Sequence, residues 1–203
     1  MNRDLEVFLI DSAGLREVAG FRFHRGCLAL GERSSATTPS CLVPDACRPI
    51  VALEALSDPD NVGSIFRSAA AFGAKGVLLS PTCTDPLYRK AIRTSMGATL
   101  QLPFLIDSEW PMGLTTIRER GATLVGLSPD STAIDLESFV ADSKVGPMAL
   151  LFGNEGAGLS REALGCCDVC VRIALAESVD SLNVATSAAI VLQRFGPSPR
   201  GVS

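Results

Sequence analysis

The sequence is poor in the side chains that build several common chemistries. Among its 203 residues it has one histidine, one tryptophan and one tyrosine. The histidine, His24 in "FHRG", has no acid or nucleophile motif beside it and fits packing better than catalysis. Trp110 and Tyr88 stand alone and form no stacking platform of the kind single-strand binders use. No apolar run approaches the ~20 residues of a membrane span. The opening "MNRDLEVFLID" meets acids too early for a secretory signal. Seven cysteines, an odd number scattered without a framework, suit a reducing compartment better than a secreted disulfide scaffold. Cytoplasm is the expected location. Cys166, Cys167 and Cys170 include a C-x-x-C spacing, but a second ligand pair is missing, so no metal is expected.

Excess positive charge is also absent. The net charge of -4 argues against strong unspecific attraction to nucleic acid, which depends on releasing counterions from phosphates. One local basic face exists in "DPLYRKAIRTSMG", where Arg89, Lys90 and Arg93 fall within about a helical turn. A solvated helix face explains it as well as RNA contact does. What the chain does have is 47% hydrophobic residues against 20% charged, the balance of a folded globule long enough for one fair-sized domain and a fragment of another.

From residue 49 onward, short β-type runs alternate with helical segments: "PIVALEAL", "GVLLS", "ATLQLPF", "ATLVGLS", "PMALLFG" and "DVCVRIALA". Val62, Ile65, Phe66 and Ala69 repeat at i, i+3, i+4, i+7, one apolar helix face. Leu182, Ala185, Ala189 and Leu192 do much the same near the end. Such alternation predicts an α/β fold, a mostly parallel sheet of about six strands with helices on both faces. Residues 1–48 differ: "LEVFLID" reads as a strand, "SAGLREVAG" as a short helix, and "GERSSATTPSCLVPDACRP" as a linker. There is no internal repeat.

Ligands of open parallel sheets bind beyond the carboxyl ends of the strands, and three loops there are unusual. "SDPDNVGSIFRSAAAFGA" carries Asn61 and, six residues on, Arg67. "LLFGNEGAGLS" runs a strand into three glycines around one carboxylate, Glu155. "ALAESVDSLNVATSAA" leads a strand through Ser181 and Asn183 into a helix. The glycine loop lacks the P-loop lysine and does not fit G-x-G-x-x-G, so triphosphate and dinucleotide cradles are unsupported. Glu155 would repel a phosphate but anchor a neutral or cationic group.

In order and spacing the three loops resemble the three signature motifs of the SpoU family of 2′-O-ribose RNA methyltransferases, over residues 49–196. Two departures stand out: Ile173, Ala174, Leu175 replace the usual Ile-Pro-Met, and Ala185 replaces a frequent serine. The resemblance implies S-adenosylmethionine as cofactor, RNA (rRNA or tRNA) as substrate, a homodimer, and a trefoil knot, contrary to the general rule against knots. By motif position, Leu127, Gly153, Ile173 and Leu182 would form the cofactor pocket. Arg67, Asn61, Glu155, Ser181 and Asn183 would be the catalytic set, and Arg67, Arg89, Lys90 and Arg93 would meet RNA. A guanidinium stays protonated and is a poor base. Arg67 is therefore expected to clamp an RNA phosphate and the 2′-oxygen, with the other four positioning it, the ribose and the loops.

The resemblance divides the chain into a remnant of an N-terminal substrate-binding domain at 1–33, a linker at 34–48, the methyltransferase domain at 49–196 and a tail at 197–203. A strand and helix alone cannot bury a core, so weak RNA binding and a natural start upstream of Met1 are expected. Two other readings compete. One is a non-catalytic RNA-binding or assembly factor that keeps the fold, against which Arg67, Glu155 and Asn183 speak. The other is an ordinary nucleotide-binding α/β enzyme, against which the absent fingerprints speak.

Overall fold

The computed structural model describes residues 6–20, 27–33, 42–142, 146–176 and 178–195. The chain divides into two compact units, residues 1–35 and 36–203. The first holds helix α1 (Ser12–Ala19), opened by Asp11, whose Oδ1 accepts from the Gly14 N–H at 2.8 Å, and closed by Gly20 at φ 73°. None of its helical residues is buried, and Val7, Phe8 and Leu9 are exposed. The strand expected at "LEVFLID" is absent from residues 6–11, since among the described residues of this unit no second strand pairs with it. His24 lies outside the described residues.

The second unit is the α/β fold that the alternation predicts. In chain order it comprises β1 (Ile50–Leu53), α2 (Pro59–Ala71), β2 (Gly76–Leu79), α3 (Arg89–Thr94), β3 (Phe104–Ile106), α4 (Met112–Glu119), β4 (Thr123–Leu127), β5 (Ile134–Asp135), α5 (Leu136–Asp142), β6 (Met148–Phe152), α6 (Arg161–Cys166), β7 (Val169–Arg172) and α7 (Val184–Phe195). The sheet runs β3-β2-β1-β6-β4-β7-β5, and every pairing is parallel. It has seven strands, not six, because the two-residue β5 is too short to leave a pattern in the sequence. "ATLQLPF" contributes a strand only from Phe104. Its first residues, Ala98–Leu100, form a 3-10 turn that Gly97 starts at φ 83°.

Both faces of the sheet are covered, which is why its central strands are apolar at every position. Val51, Leu53, Leu150 and Phe152 point to one core with α2 and α7. Ile50, Ala52, Ala149 and Leu151 point to the other, with α4 and α6. The α2 stripe lies where its periodicity puts it, with Val62, Ile65, Phe66 and Ala69 fully buried. The α7 stripe is rotated from expectation. Val184, Ser187, Ala188, Val191 and Leu192 face inward, Ala185 and Ala189 are half-buried, and Leu182 precedes the helix. Small residues at 185, 188 and 189 made the faces hard to tell apart by pattern.

Among the described residues, no helix is long and apolar enough to cross a membrane. The α2–α3 crossing is close because residue 63 has no side chain. A Cβ there would stand 2.7 Å from the Ala91 carbonyl oxygen and 2.9 Å from the Thr94 Cβ. Gly63→Ala should force α3 outward and cost about 1–3 kcal/mol. Chemical denaturation checks it, and an unchanged midpoint would show that α3 yields without loss.

Candidate active site

The loops after β6, β4 and β7, three adjacent strands, surround one cavity beyond their carboxyl ends. It holds about 680 Å³ of empty space including its open mouth, within the range of small-ligand sites. Leu127, Gly153, Ile173 and Leu182, the four positions expected at a cofactor pocket, all line it. So do Ser128, Pro129, Asn154, Gly158 and Asp180, which the sequence reading did not single out.

The glycine loop is a tight reversal. The Asn154 N–H donates to the Gly158 carbonyl at 3.0 Å, and the Gly158 N–H donates back at 2.9 Å. Gly158 sits at φ 71°, a conformation that favours glycine. At Gly153 a Cβ would fall 2.2 Å from the Gly158 carbonyl carbon, so no other residue fits there. Asn154 organises the turn: its Oδ1 accepts from the Gly156 and Ala157 N–H groups, and its Nδ2 donates 2.9 Å to the Ala55 carbonyl. The Asn-x-Gly order was a legible signal for this turn.

The loop carries Glu155 to a second asparagine. Nδ2 of Asn61, in the first turn of α2, donates to Oε1 of Glu155, and Oδ1 of Asn61 accepts from Nδ2 of Asn183 at 2.9 Å. Asn183 in turn accepts from the Ala185 and Thr186 N–H groups and so caps α7. One residue from each sequence motif thus joins a single hydrogen-bonded chain. Ser181 lines the cavity but makes no hydrogen bond with these three.

Arg67 lies on the exposed face of α2. It forms no hydrogen bond with Asn61, Glu155, Ser181 or Asn183, so among the described residues nothing corresponds to the expectation that those four hold it. Arg89, Lys90 and Arg93 are exposed on α3. Lys90 pairs with Asp60 at 2.9 Å. Its hydrogen bond to that carboxylate raises the Lys90 pKa, and the same bond, with one from Thr94, lowers that of Asp60. Lys90 is therefore a partly neutralised cation. Toward the carboxyl end of β4, Cys167 and Cys170 both pack against Gly126. Burial, with the neighbouring thiols, pushes the Cys167 thiol up to about 12, which suits an inert group. Among the described residues no three His, Cys, Asp or Glu side chains gather as a metal site would require.

A three-motif α/β sheet with this cavity defines a class, and comparison with known proteins places the chain within it. Residues 48–193 match the SpoU rRNA Methylase family, and the chain belongs to that family. Over 176 residues it is 40% identical to an "uncharacterized tRNA/rRNA methyltransferase" of Mycobacterium bovis, a match covering 87% of this chain and 61% of the relative. The chain thus spans about three fifths of the length of such relatives. Among solved structures, the S-adenosylmethionine-bound rRNA methyltransferase of Sinorhizobium meliloti superposes with TM-score 0.71 at 31% identity, over 79% of this chain and 60% of that one. The SpoU methyltransferase AviRb of Streptomyces viridochromogenes gives 0.70 at 30% identity, over 79% and 63%.

The Asn61 contacts predict a pH-dependent defect. Asn61→Asp places a second carboxylate against Glu155 and should cost about 1–3 kcal/mol at neutral pH. Protonating the introduced carboxyl restores a donor and removes the repulsion, so the deficit relative to wild type should shrink in acid. Thermal melts at several pH values test it; a deficit independent of pH counts against the contact.

Proposed function

We propose that the chain transfers the methyl group of S-adenosylmethionine to a ribose 2′-hydroxyl of rRNA or tRNA. The observation that carries this reading is the coincidence of the cavity beyond β6, β4 and β7 with the motif positions Leu127, Gly153, Ile173 and Leu182. The donor set suits the cofactor. Leu127, Ile173, Leu175 and Leu182 offer apolar walls to an adenine ring. The Gly153–Gly158 contact leaves backbone in place of side chain at the cavity wall. Asp180 supplies a carboxylate compatible with a cation.

When bound, S-adenosylmethionine supplies an already electrophilic sulfonium methyl, so the protein's work lies with the acceptor. Arg67 is free to clamp an RNA phosphate and to stabilise charge growing on the 2′-oxygen, because it is exposed and no carboxylate among the described residues neutralises it. Asn61, Glu155 and Asn183 keep the glycine loop, α2 and the start of α7 in register, and Ser181 faces the same cavity. Arg89, Lys90 and Arg93 extend the RNA contact along α3. On this reading residues 1–33 form a substrate-binding segment, 34–48 a linker, 49–196 the catalytic domain and 197–203 a tail.

The working form is a cytoplasmic homodimer with the trefoil knot of its family. Support for the knot comes from α7, which follows β7 near one edge of the sheet yet packs on α2, beside the central β1. Support for the dimer comes from Val179, an exposed apolar side chain in the segment leading into α7.

Arg67→Ala should abolish methyl transfer and leave S-adenosylmethionine affinity nearly unchanged. Calorimetry beside a turnover assay decides this: retention of more than about a tenth of the rate, a loss under about 1.4 kcal/mol, would sink the clamp role. Light scattering at micromolar concentration should give twice the 21.3 kDa chain mass; the mass of one chain would overturn the dimer.

A further inference from the structure

The end of β1 carries a carboxylate that the sequence motifs leave unexplained. Glu54 is only 7% exposed, and no cation is among its hydrogen-bond partners. Burying such a group is costly unless hydrogen bonds replace its water. Here three do. Oε1 accepts from Trp110 Nε1 and from Ser160 Oγ, both at 2.7 Å, and Oε2 accepts from the Ser160 N–H at 2.8 Å. Ser160 Oγ already accepts from the Ala163 N–H at 3.1 Å as the cap of α6, which leaves its own proton to point at Glu54. Every partner is thus a donor, and only an acceptor fits between them.

These bonds have a direction relative to the cavity. The Glu54 N–H donates to the Phe152 carbonyl at 2.9 Å, immediately before the glycine loop. The next carbonyl, of Ala55, receives Asn154 Nδ2 just inside the loop, and the Glu54 side chain receives Ser160 at its far end. Two consecutive residues therefore hold both feet of the segment 153–160. Ala55 itself adopts φ 54°, a left-handed conformation uncommon for a residue with a side chain. The contacts on either side of it keep the strand end in that conformation.

We propose that Glu54 is a positioning residue for the proposed reaction. Through Ser160 it fixes the glycine loop, and with it Gly153, Asn154 and Glu155, at the cavity wall. The proposal rests on the reading of that loop as part of the cofactor pocket. Trp110 separates this role from general stability, since it donates to the same carboxylate from the turn before α4 and makes no hydrogen bond to residues 153–160.

The test compares Glu54→Gln, Ser160→Ala and Trp110→Phe in the full chain. Glutamine sets an N–H against at least one of the three donors. In the first two variants, amide exchange across residues 153–158 of the cofactor-free protein should quicken about tenfold, and S-adenosylmethionine affinity should fall about tenfold, the scale of one hydrogen bond to a charged group. Turnover at saturating cofactor should fall far less than affinity. Trp110→Phe should lower the melting temperature comparably while leaving both loop exchange and affinity near wild type. Unchanged exchange in Glu54→Gln, or the same loosening in Trp110→Phe, would overturn the positioning role. Wild-type protein that binds no S-adenosylmethionine would defeat the cofactor reading, and the exchange measurement would still decide whether Glu54 holds the loop.

Discussion

A largely buried asparagine that must donate and accept at once orders the ligand end of this sheet. Asn61 is 8% exposed and faces Glu155 with its amide nitrogen and Asn183 with its oxygen. Neither an isosteric acid nor an apolar residue can serve both contacts, and a buried polar group left unmatched costs about 1–3 kcal/mol. The three partners are far apart in the sequence and belong to α2, the glycine loop and the cap of α7. Their alignment fixes how these segments close around the cavity. This explains why these three positions carry two amides and an acid, where apolar side chains could pack but not bond.

The fold was legible because parallel strands covered on both faces are nearly uniform apolar runs, and because the α2 stripe is regular. β5 was not legible: two residues pairing at an edge carry no periodicity. The α7 face was misjudged because alanines flank its buried positions on both sides. At the site, the motif residues could be named from their spacing. Their connectivity could not, since which of Ser181 and Asn183 reaches Asn61 depends on where α7 begins. Glu54 escaped notice for a related reason. A lone acid ending an apolar strand looks like the boundary of the strand until Ser160, 106 positions away, is seen donating to it.

Charge is also arranged differently from what a count suggests. Lys90 answers Asp60 on the neighbouring helix, and Arg194 answers Glu137 across α5 and α7. Arg172 and Asp135 pair at the β7–β5 edge at 3.1 Å. These exposed or half-exposed pairs contribute little to stability individually. Their larger effect is local: among the described residues they neutralise Lys90, Arg172 and Arg194, whereas Arg67 on α2 keeps its charge exposed. An acidic chain with a few placed cations favours selective contact over indiscriminate binding.

The order of strands in the sheet also governs how the chain is made. β1 pairs on one side with β2, which follows soon after, but its other edge waits for β6, with Ile50 opposite Ala149. At a ribosomal pace of ~5–20 residues per second, that apolar edge stays open for about 5–20 s while roughly 100 residues are added. The cavity forms later still, because part of its wall follows β7, the last strand of the sheet. A nascent chain of this protein therefore exposes one edge of a wholly apolar strand while those residues are added, and its cavity closes only after β7 and the start of α7 have been made. Its demand for protection is concentrated on the ribosome, before any ligand can stabilise it.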